Sequence, residues 1–323
     1  LMVYGEFVQS PQVDFAKALA SVLPANLSCT YFVNSGTEAA EGAMKLAKRY
    51  TGRTELIACK NSYHGSTQGT LSLMGNEEFK QAYRPLLPDV QFIQFNLKAD
   101  LAKITDKTAA VFVETVQGEA GIRIPDESYM KALRAKCTET GTLLVLDEIQ
   151  CGFGRTGKMF GFEHFDIVPD ILLLAKGIGG GMPIGAFISS EEIMSVFSEN
   201  PILGHITTFG GHPVSCAAGL ATLKTILAED LVKDVEAKGE LFKSLLKHPA
   251  IREVRGKGLM LAAEFESYDI LKQIIDGCIA DGIITDWFLH CSNSMRIAPP
   301  LIITEDEIRT ACEIILKNIS SIT

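Results

Sequence analysis

Five apolar runs in the first 175 residues of the chain end alike, each spilling into a cluster of glycine and polar or charged residues. Cys29-Thr30-Tyr31-Phe32-Val33 runs into Asn34-Ser35-Gly36-Thr37-Glu38, and Leu56-Ile57-Ala58-Cys59 into Asn61-Ser62-Tyr63-His64-Gly65-Ser66. Ala109-Ala110-Val111-Phe112-Val113 gives way to Glu114-Thr115-Val116-Gln117-Gly118-Glu119. Leu143-Leu144-Val145-Leu146 meets Asp147-Glu148-Ile149-Gln150, and Ile171-Leu172-Leu173-Leu174 meets Ala175-Lys176-Gly177. Short apolar runs bounded in this way read as buried strands. Stretches with helical spacing of apolar residues lie among them, at 14–23, 39–47 and 129–140. Strand alternating with helix predicts an α/β fold, with a mostly parallel central sheet and helices on both faces. All five clusters then fall at the C-terminal ends of strands, the edge where open α/β sheets bind ligands.

The residue types at that edge suggest chemistry. A lysine at the end of a buried strand is expected to be poorly solvated, which favours its neutral, nucleophilic amine. On this stretch alone Lys176 could equally be a strand-end lysine whose stem packs and whose ammonium reaches water. Asp147, at the end of an apolar strand, needs a partner, because an unpaired buried carboxylate is costly. The turn at Asn34-Ser35-Gly36-Thr37 precedes a helix. It is either an anion site made of free N–H groups or an ordinary cap by Ser35 or Thr37. Tyr63 and His64 on their glycine loop could stack on a flat ring or simply pack. Glu119, between glycines, suits a cleft better than a solvated face. Together these groups meet the needs of pyridoxal 5′-phosphate: an anion cradle, a lysine for a Schiff base, a carboxylate for the ring nitrogen and a stacking ring.

Beyond the sheet, further strands are expected at 90–95 and 183–188, and helices at 214–227 and 231–246. The character then changes. Strands at 251–255 and 259–265, a helix at 270–280, a strand ending at Pro299-Pro300 and a last helix at 305–319 predict a smaller α+β domain. We expect a large cofactor-binding domain over 1–226 and a small C-terminal domain over 227–323. A net charge of −9 argues against nucleic acid as partner. No apolar run is long enough to cross a bilayer and no secretory signal is visible. The eight cysteines form no C-x-x-C pair, so neither a metal site nor a disulfide framework is expected, and reduced thiols in the cytoplasm are the simplest reading. The chain opens at Leu1-Met2-Val3-Tyr4 without an obvious start.

The ordered set of motifs resembles the class III (acetylornithine/ornithine-type) pyridoxal-phosphate aminotransferases of fold type I. It comprises Asn34-Ser35-Gly36-Thr37-Glu38-Ala39, Tyr63-His64-Gly65, Gln117-Gly118-Glu119-Ala120-Gly121, Asp147-Glu148-Ile149-Gln150, Gly152-Phe153-Gly154-Arg155-Thr156-Gly157, Leu174-Ala175-Lys176-Gly177, Thr208-Phe209-Gly210-Gly211 and Arg296-Ile297-Ala298-Pro299-Pro300. The resemblance implies that Lys176 is the Schiff-base lysine and proton carrier, and that Asp147 pairs with the ring nitrogen. It implies that Ser35, Gly36 and Thr37 hold the phosphate, that Ile149 and Tyr63 cover the two ring faces, and that Gln150 reaches the ring hydroxyl. Thr208 is expected to reach the phosphate of a neighbouring subunit, which implies a homodimer or larger homo-oligomer. Thr207 is expected near the substrate. Arg296 is expected to bind the substrate α-carboxylate, and Glu119 to pair with it in one half-reaction and release it in the other. Glu114 and His64 could touch the ligand or support residues that do, and Arg155 is expected to bridge loops. Members of the family normally begin with a further N-terminal segment, expected here to be absent.

Three positions depart from the family pattern. Ser66 stands where ornithine-type members usually carry an arginine, and a serine supplies no charged fork. Thr115 and Cys151 replace the usual proline and threonine or serine, changes expected to alter loop shape. The resulting expectation is an enzyme that moves an amino group from an ω-amino donor to an oxo acid such as 2-oxoglutarate in ping-pong order. A 4-aminobutyrate or other ω-amine aminotransferase, or an aminomutase or epimerase on the same cofactor, are the alternatives.

Overall fold

The computed structural model describes residues 7–322, so the opening Leu1-Met2-Val3-Tyr4 lies outside the described residues. Seven strands form the larger sheet: β1 (Cys29–Val33), β2 (Glu55–Cys59), β3 (Val90–Ile93), β4 (Thr108–Glu114), β5 (Leu143–Asp147), β6 (Ile171–Leu174) and β7 (Gly185–Ser189). Their spatial order is β1-β7-β6-β5-β4-β2-β3. The pairs from β3 through β6 are parallel, while β7 runs antiparallel to both β6 and β1. The direction of β7 follows from length. A parallel return needs a crossover of a dozen or more residues, and only residues 175–184 separate β6 from β7. The other six strands still point the same way, so their C-terminal ends share one edge.

Alternate side chains of the central strands enter two cores. Val111, Val113, Leu144, Leu146, Leu172 and Leu174 pack with helices α1 (Ser10–Ser21) and α4 (Glu127–Thr140). Ala110, Phe112, Val145, Ile171 and Leu173 pack on the opposite face with α2 (Gly36–Thr51), whose alanines Ala39, Ala40, Ala43 and Ala47 line the contact. Strands β4, β5 and β6 are buried along their whole length, which explains their unbroken apolar runs. Three further helices complete this part: α3 (Gln68–Leu73), α5 (Glu191–Met194) and α6 (Pro213–Ala228). The expected division at 226/227 falls in the last turn of α6. Helix α1 starts earlier than its apolar spacing indicates, because Pro11 is well suited to a first helical turn.

The C-terminal part holds a four-stranded antiparallel sheet, ordered β10-β11-β9-β8, from β8 (Glu253–Lys257), β9 (Met260–Glu264), β10 (Trp287–Phe288) and β11 (Cys291–Ile297). Helices α7 (Val235–Leu245), α8 (Tyr268–Ala280) and α9 (Glu305–Ser320) bury a separate core against it, including Phe242, Leu261, Phe265, Ile274, Met295 and Ile315. The two parts meet through a small apolar cluster, in which Val116, Ile122 and Cys151 touch Met260, Ala262 and Phe288. Arg155 reaches across the same seam, donating to the Leu259 carbonyl at 3.2 Å and also to that of Pro299. This is the bridging role expected of it. The eight cysteines are free thiols. No helix among the described residues is long and apolar enough to cross a membrane.

Candidate active site

The common edge of the larger sheet opens into a cleft of about 760 Å³. Its walls include Ser35, Gly36, Thr37, Tyr63, Asp147, Ile149, Gln150 and Lys176, so eight residues singled out from the sequence converge there. A second cavity of about 210 Å³ shares Ile149, Gln150 and Lys176 with it and is lined on its far side by Arg296.

The expected anion cradle falls at the start of α2. Ser35 caps the helix, its hydroxyl accepting from the Glu38 N–H at 3.3 Å. Capping leaves the cradle intact. The Gly36 and Thr37 N–H groups have no intrahelical partner in a first turn, and both residues face the cleft. The Thr37 hydroxyl is held by the hydroxyls of Thr67 and Thr70, each at 2.7 Å. Two glycines keep the cradle open. A Cβ on Gly36 would lie 2.7 Å from Ile149 Cδ1, and one on Gly65, where φ is +130°, would lie 2.3 Å from Thr37 Oγ1.

Asp147 is buried, and each of its oxygens has one partner. Its Oδ1 accepts from the Ile149 N–H at 3.0 Å, and its Oδ2 lies 2.8 Å from His64 Nδ1. His64 is therefore a support of the carboxylate. Burial alone would lower its pKa, but the hydrogen bond and charge of Asp147, with the charge of Glu114, outweigh burial and raise it. Its Nε2 is buried without a hydrogen-bond partner among the described residues. Glu114, also buried, accepts from the Tyr63 N–H at 3.1 Å and the Gly118 N–H at 2.8 Å. Burial pushes its carboxyl up to about 7, against the opposing pull of His64. The phenol of Tyr63 is fixed by Ser66 Oγ at 3.0 Å.

Lys176 corrects one expectation. The strand before it is buried, but Lys176 itself is exposed at the mouth of the cleft rather than tucked into the core. The reason is local backbone geometry. Its φ is +50°, a left-handed conformation uncommon outside glycine, where the chain enters a short 3₁₀ turn over Lys176–Gly179. The turn carries the side chain off the end of β6 instead of continuing the strand inward.

Glu119 and Arg296 are paired. Arg296 Nη2 lies 3.1 and 2.9 Å from the two Glu119 oxygens. Burial would raise the Glu119 pKa, but the Arg296 charge and hydrogen bonds overcome it and hold it low. Gln150 Nε2 also donates to Glu119 at 3.1 Å, which links the pair to the main cleft. Asp286 at 2.9 Å and the Phe288 ring, 4.5 Å below the guanidinium, complete its surroundings. Neither was anticipated. The aromatic pair Trp287-Phe288 was the available signal, but a two-residue strand is too short to show a period.

Thr207 and Thr208 stand apart. Both line a different cavity, with Tyr31 and Phe32. Thr207 is tied to the cleft through Asn34, whose Nδ2 donates to it at 3.1 Å. Glu148 is a further residue not anticipated. It is buried and accepts from Thr115 Oγ1, Gly161 N and Phe162 N, each at 2.7 Å, and from Cys151 Sγ at 3.2 Å. Burial raises its pKa despite these donors. Two of the three positions that depart from the family pattern, Thr115 and Cys151, thus meet on one carboxylate.

The family profile described as aminotransferase class-III matches residues 1–319. The chain is 42% identical over 308 residues to an acetylornithine aminotransferase of Methanopyrus kandleri, covering 94% of this chain and 78% of that protein. Its fold matches the ornithine aminotransferase of Toxoplasma gondii with a TM-score of 0.92 at 29% identity, over 99% of this chain and 78% of the other. A transaminase from the marine bacterium Virgibacillus matches with a TM-score of 0.93 at 29% identity, over 100% and 81% of the two chains.

Proposed function

The chain belongs to the class III aminotransferases, enzymes that move amino groups with pyridoxal phosphate, and from that premise we propose that its donor is an ω-amine of the acetylornithine or ornithine type. We take the acceptor to be an oxo acid, 2-oxoglutarate first among them, with donor and acceptor exchanged in ping-pong order. The observation that carries this reading is the Glu119–Arg296 pair. An arginine bonded to a neighbouring carboxylate presents no free fork to an ω-amine donor. Released, it can grip an α-carboxylate bidentately. One pocket then serves two unlike substrates.

The residues present fit the cofactor: the cradle at Gly36 is one that a Cβ would fill against Ile149. When bound, pyridoxal phosphate supplies an aldehyde that condenses with amines and a ring that withdraws electrons from the carbon bearing the nitrogen. The Gly36 and Thr37 N–H groups, the Thr37 hydroxyl and Ser35 would hold its phosphate. Tyr63 and Ile149 would flank its ring, Asp147 would keep the ring nitrogen protonated, and Gln150 would reach the ring hydroxyl. Lys176 Nζ would take the proton from the amine-bearing carbon of the donor and later return one. The exposure of Lys176 gives that amine room to swing between positions. Thr207 would lie near the substrate, and Thr208 would reach the phosphate in the cleft of a second copy of the chain, so we propose a homodimer with shared sites. We divide the chain into a cofactor domain over 1–226 and a small domain over 227–323.

A half-reaction screen tests the reading. The holoenzyme is offered acetylornithine, succinylornithine, ornithine, lysine and 4-aminobutyrate in turn, and its visible absorbance is followed. At least one should bleach it, and 2-oxoglutarate should restore it. If none of the five does, the donor assignment is wrong. Restoration without any oxo acid would point to an isomerase instead.

A further inference from the structure

Glu114 takes no direct part in the transfer described above, yet it lies at the junction of two of its working loops. It ends β4, in register with Asp147 at the end of β5. One oxygen, Oε1, accepts from the backbone N–H of Tyr63 at 3.1 Å. The other, Oε2, accepts from the N–H of Gly118 at 2.8 Å, one residue before Glu119. A single side chain therefore joins the ring platform to the loop that holds Arg296. The same loops share one further link, which cannot titrate: Gln117 Nε2 donates to the Lys60 carbonyl at 2.8 Å.

We propose that Glu114 is a positioning residue, which as a carboxylate holds the Tyr63 platform in place and which releases it on taking up one proton. The inference rests on reading Tyr63 as the platform for the cofactor ring. An ionised carboxylate accepts at both oxygens, whereas a carboxylic acid carries an O–H on one of them. An O–H facing an N–H sets two donors against each other. The longer bond, to Tyr63, is the one that gives way, while the shorter bond to Gly118 and the Gln117 link persist. Glu114 lines the cleft, so the proton comes from solvent.

The charged and titratable groups around it set the balance. His64, from the loop after β2, favours the ionised form, and Asp147, from β5, opposes it. Cys59 faces it from β2, and Lys176 lines the same cleft from the β6 side. Burial places the transition near neutrality, at about 7.

The test is the binding of pyridoxamine phosphate, which forms no bond to Lys176, measured by calorimetry on the full chain between pH 6 and 8. Wild type should bind roughly tenfold more weakly at pH 6 than at pH 8, after subtraction of the dependence seen in Glu114→Gln; a tenfold change is about 1.4 kcal/mol. Glu114→Gln has one acceptor and one amide donor, so it should bind weakly throughout with no inflection near 7. Glu114→Asp, one methylene shorter but still titrating, should keep an inflection, and it carries the test if the glutamine variant does not fold. An unchanged inflection in Glu114→Gln, or none in wild type and Glu114→Asp alike, overturns the proposal. If wild type does not bind pyridoxamine phosphate at all, it is the cofactor-site reading that fails.

Discussion

Replacing Glu119 by glutamine removes the charge that competes with substrate for Arg296 and keeps the side chain's shape. The size of the effect can be worked from the contacts. Arg296 makes two contacts to Glu119, at 3.1 and 2.9 Å, and one to Asp286 at 2.9 Å. The Glu119 side chain is 13% exposed and that of Arg296 26%, whereas Asp286 is 61% exposed and should contribute little. A charge-assisted hydrogen bond is worth about 1.5–3 kcal/mol, and solvent access at Arg296 reduces the net competition to about 1–2 kcal/mol. That corresponds to a factor of about 5–30. Glu119→Gln should therefore lower the KM for an oxo acid by about that factor, because the carboxylate no longer has to displace Glu119. The same freed arginine should attract the α-carboxylate of a donor and turn its ω-amine away, so kcat/KM for the ω-amino half-reaction should fall. The amide retains an acceptor for the Leu289 N–H, now 3.1 Å from Glu119 Oε2, so the loop should stay folded. Stopped-flow half-reactions with each substrate separate the two effects. A change of less than twofold in both would refute the idea that the pair gates the site.

Four other outcomes follow from the geometry. Lys176→Ala should abolish amino transfer while leaving pyridoxamine phosphate bound, as equilibrium dialysis and a coupled assay would read; retained turnover would remove Lys176 from the chemistry. Gly65→Ala should cost about 1–3 kcal/mol in urea unfolding and weaken phosphate binding, because its Cβ would drive into Thr37 Oγ1, 2.3 Å away. Arg155→Ala should lower stability by about 2–3 kcal/mol, since two carbonyls across the seam lose a charged donor. Stability should also depend on pH through Glu114. Its native pKa of about 7 lies above the ordinary value of 4.5, so the folded state binds the proton more tightly and this contribution is lost as pH rises from 4.5 through 7. The loss is on the order of 3 kcal/mol. Urea melts from pH 5 to 8 should show that slope in wild type and not in Glu114→Gln.

The strands and their polar ends were legible because buried parallel strands must be apolar on both faces and must stop where side chains meet a ligand edge. The polar turn at Gly36 and Thr37 before a helix and the carboxylate at Asp147 were legible for the same reason. The pairing of His64 with Asp147 was not: the two are 83 positions apart, and residue type alone does not say which carboxylate a histidine meets. Glu148 was missed because its neighbour Asp147 already accounted for an acid at the strand end, and its four donors come from three separate segments. The exposure of Lys176 depends on a single backbone angle, which an apolar pattern cannot encode. The antiparallel course of β7, by contrast, could have been read from the short connection alone.

That short connection has a mechanical consequence. Residues 175–184 form an arch whose two footings, Leu174 and Ala186, are partners in adjacent hydrogen-bonded strands. The loops after β1, β2 and β4 lead into α2, α3 and α4, whereas the arch bearing Lys176 is anchored at both ends to the sheet itself. Its two ends cannot part unless β6 slides against β7 and breaks ladder bonds. Lys176 thus stands two residues from a fixed footing, and its amine is carried on a four-carbon stem. Lengthening the arch by a glycine or two would leave the amine's chemistry intact while blurring its aim.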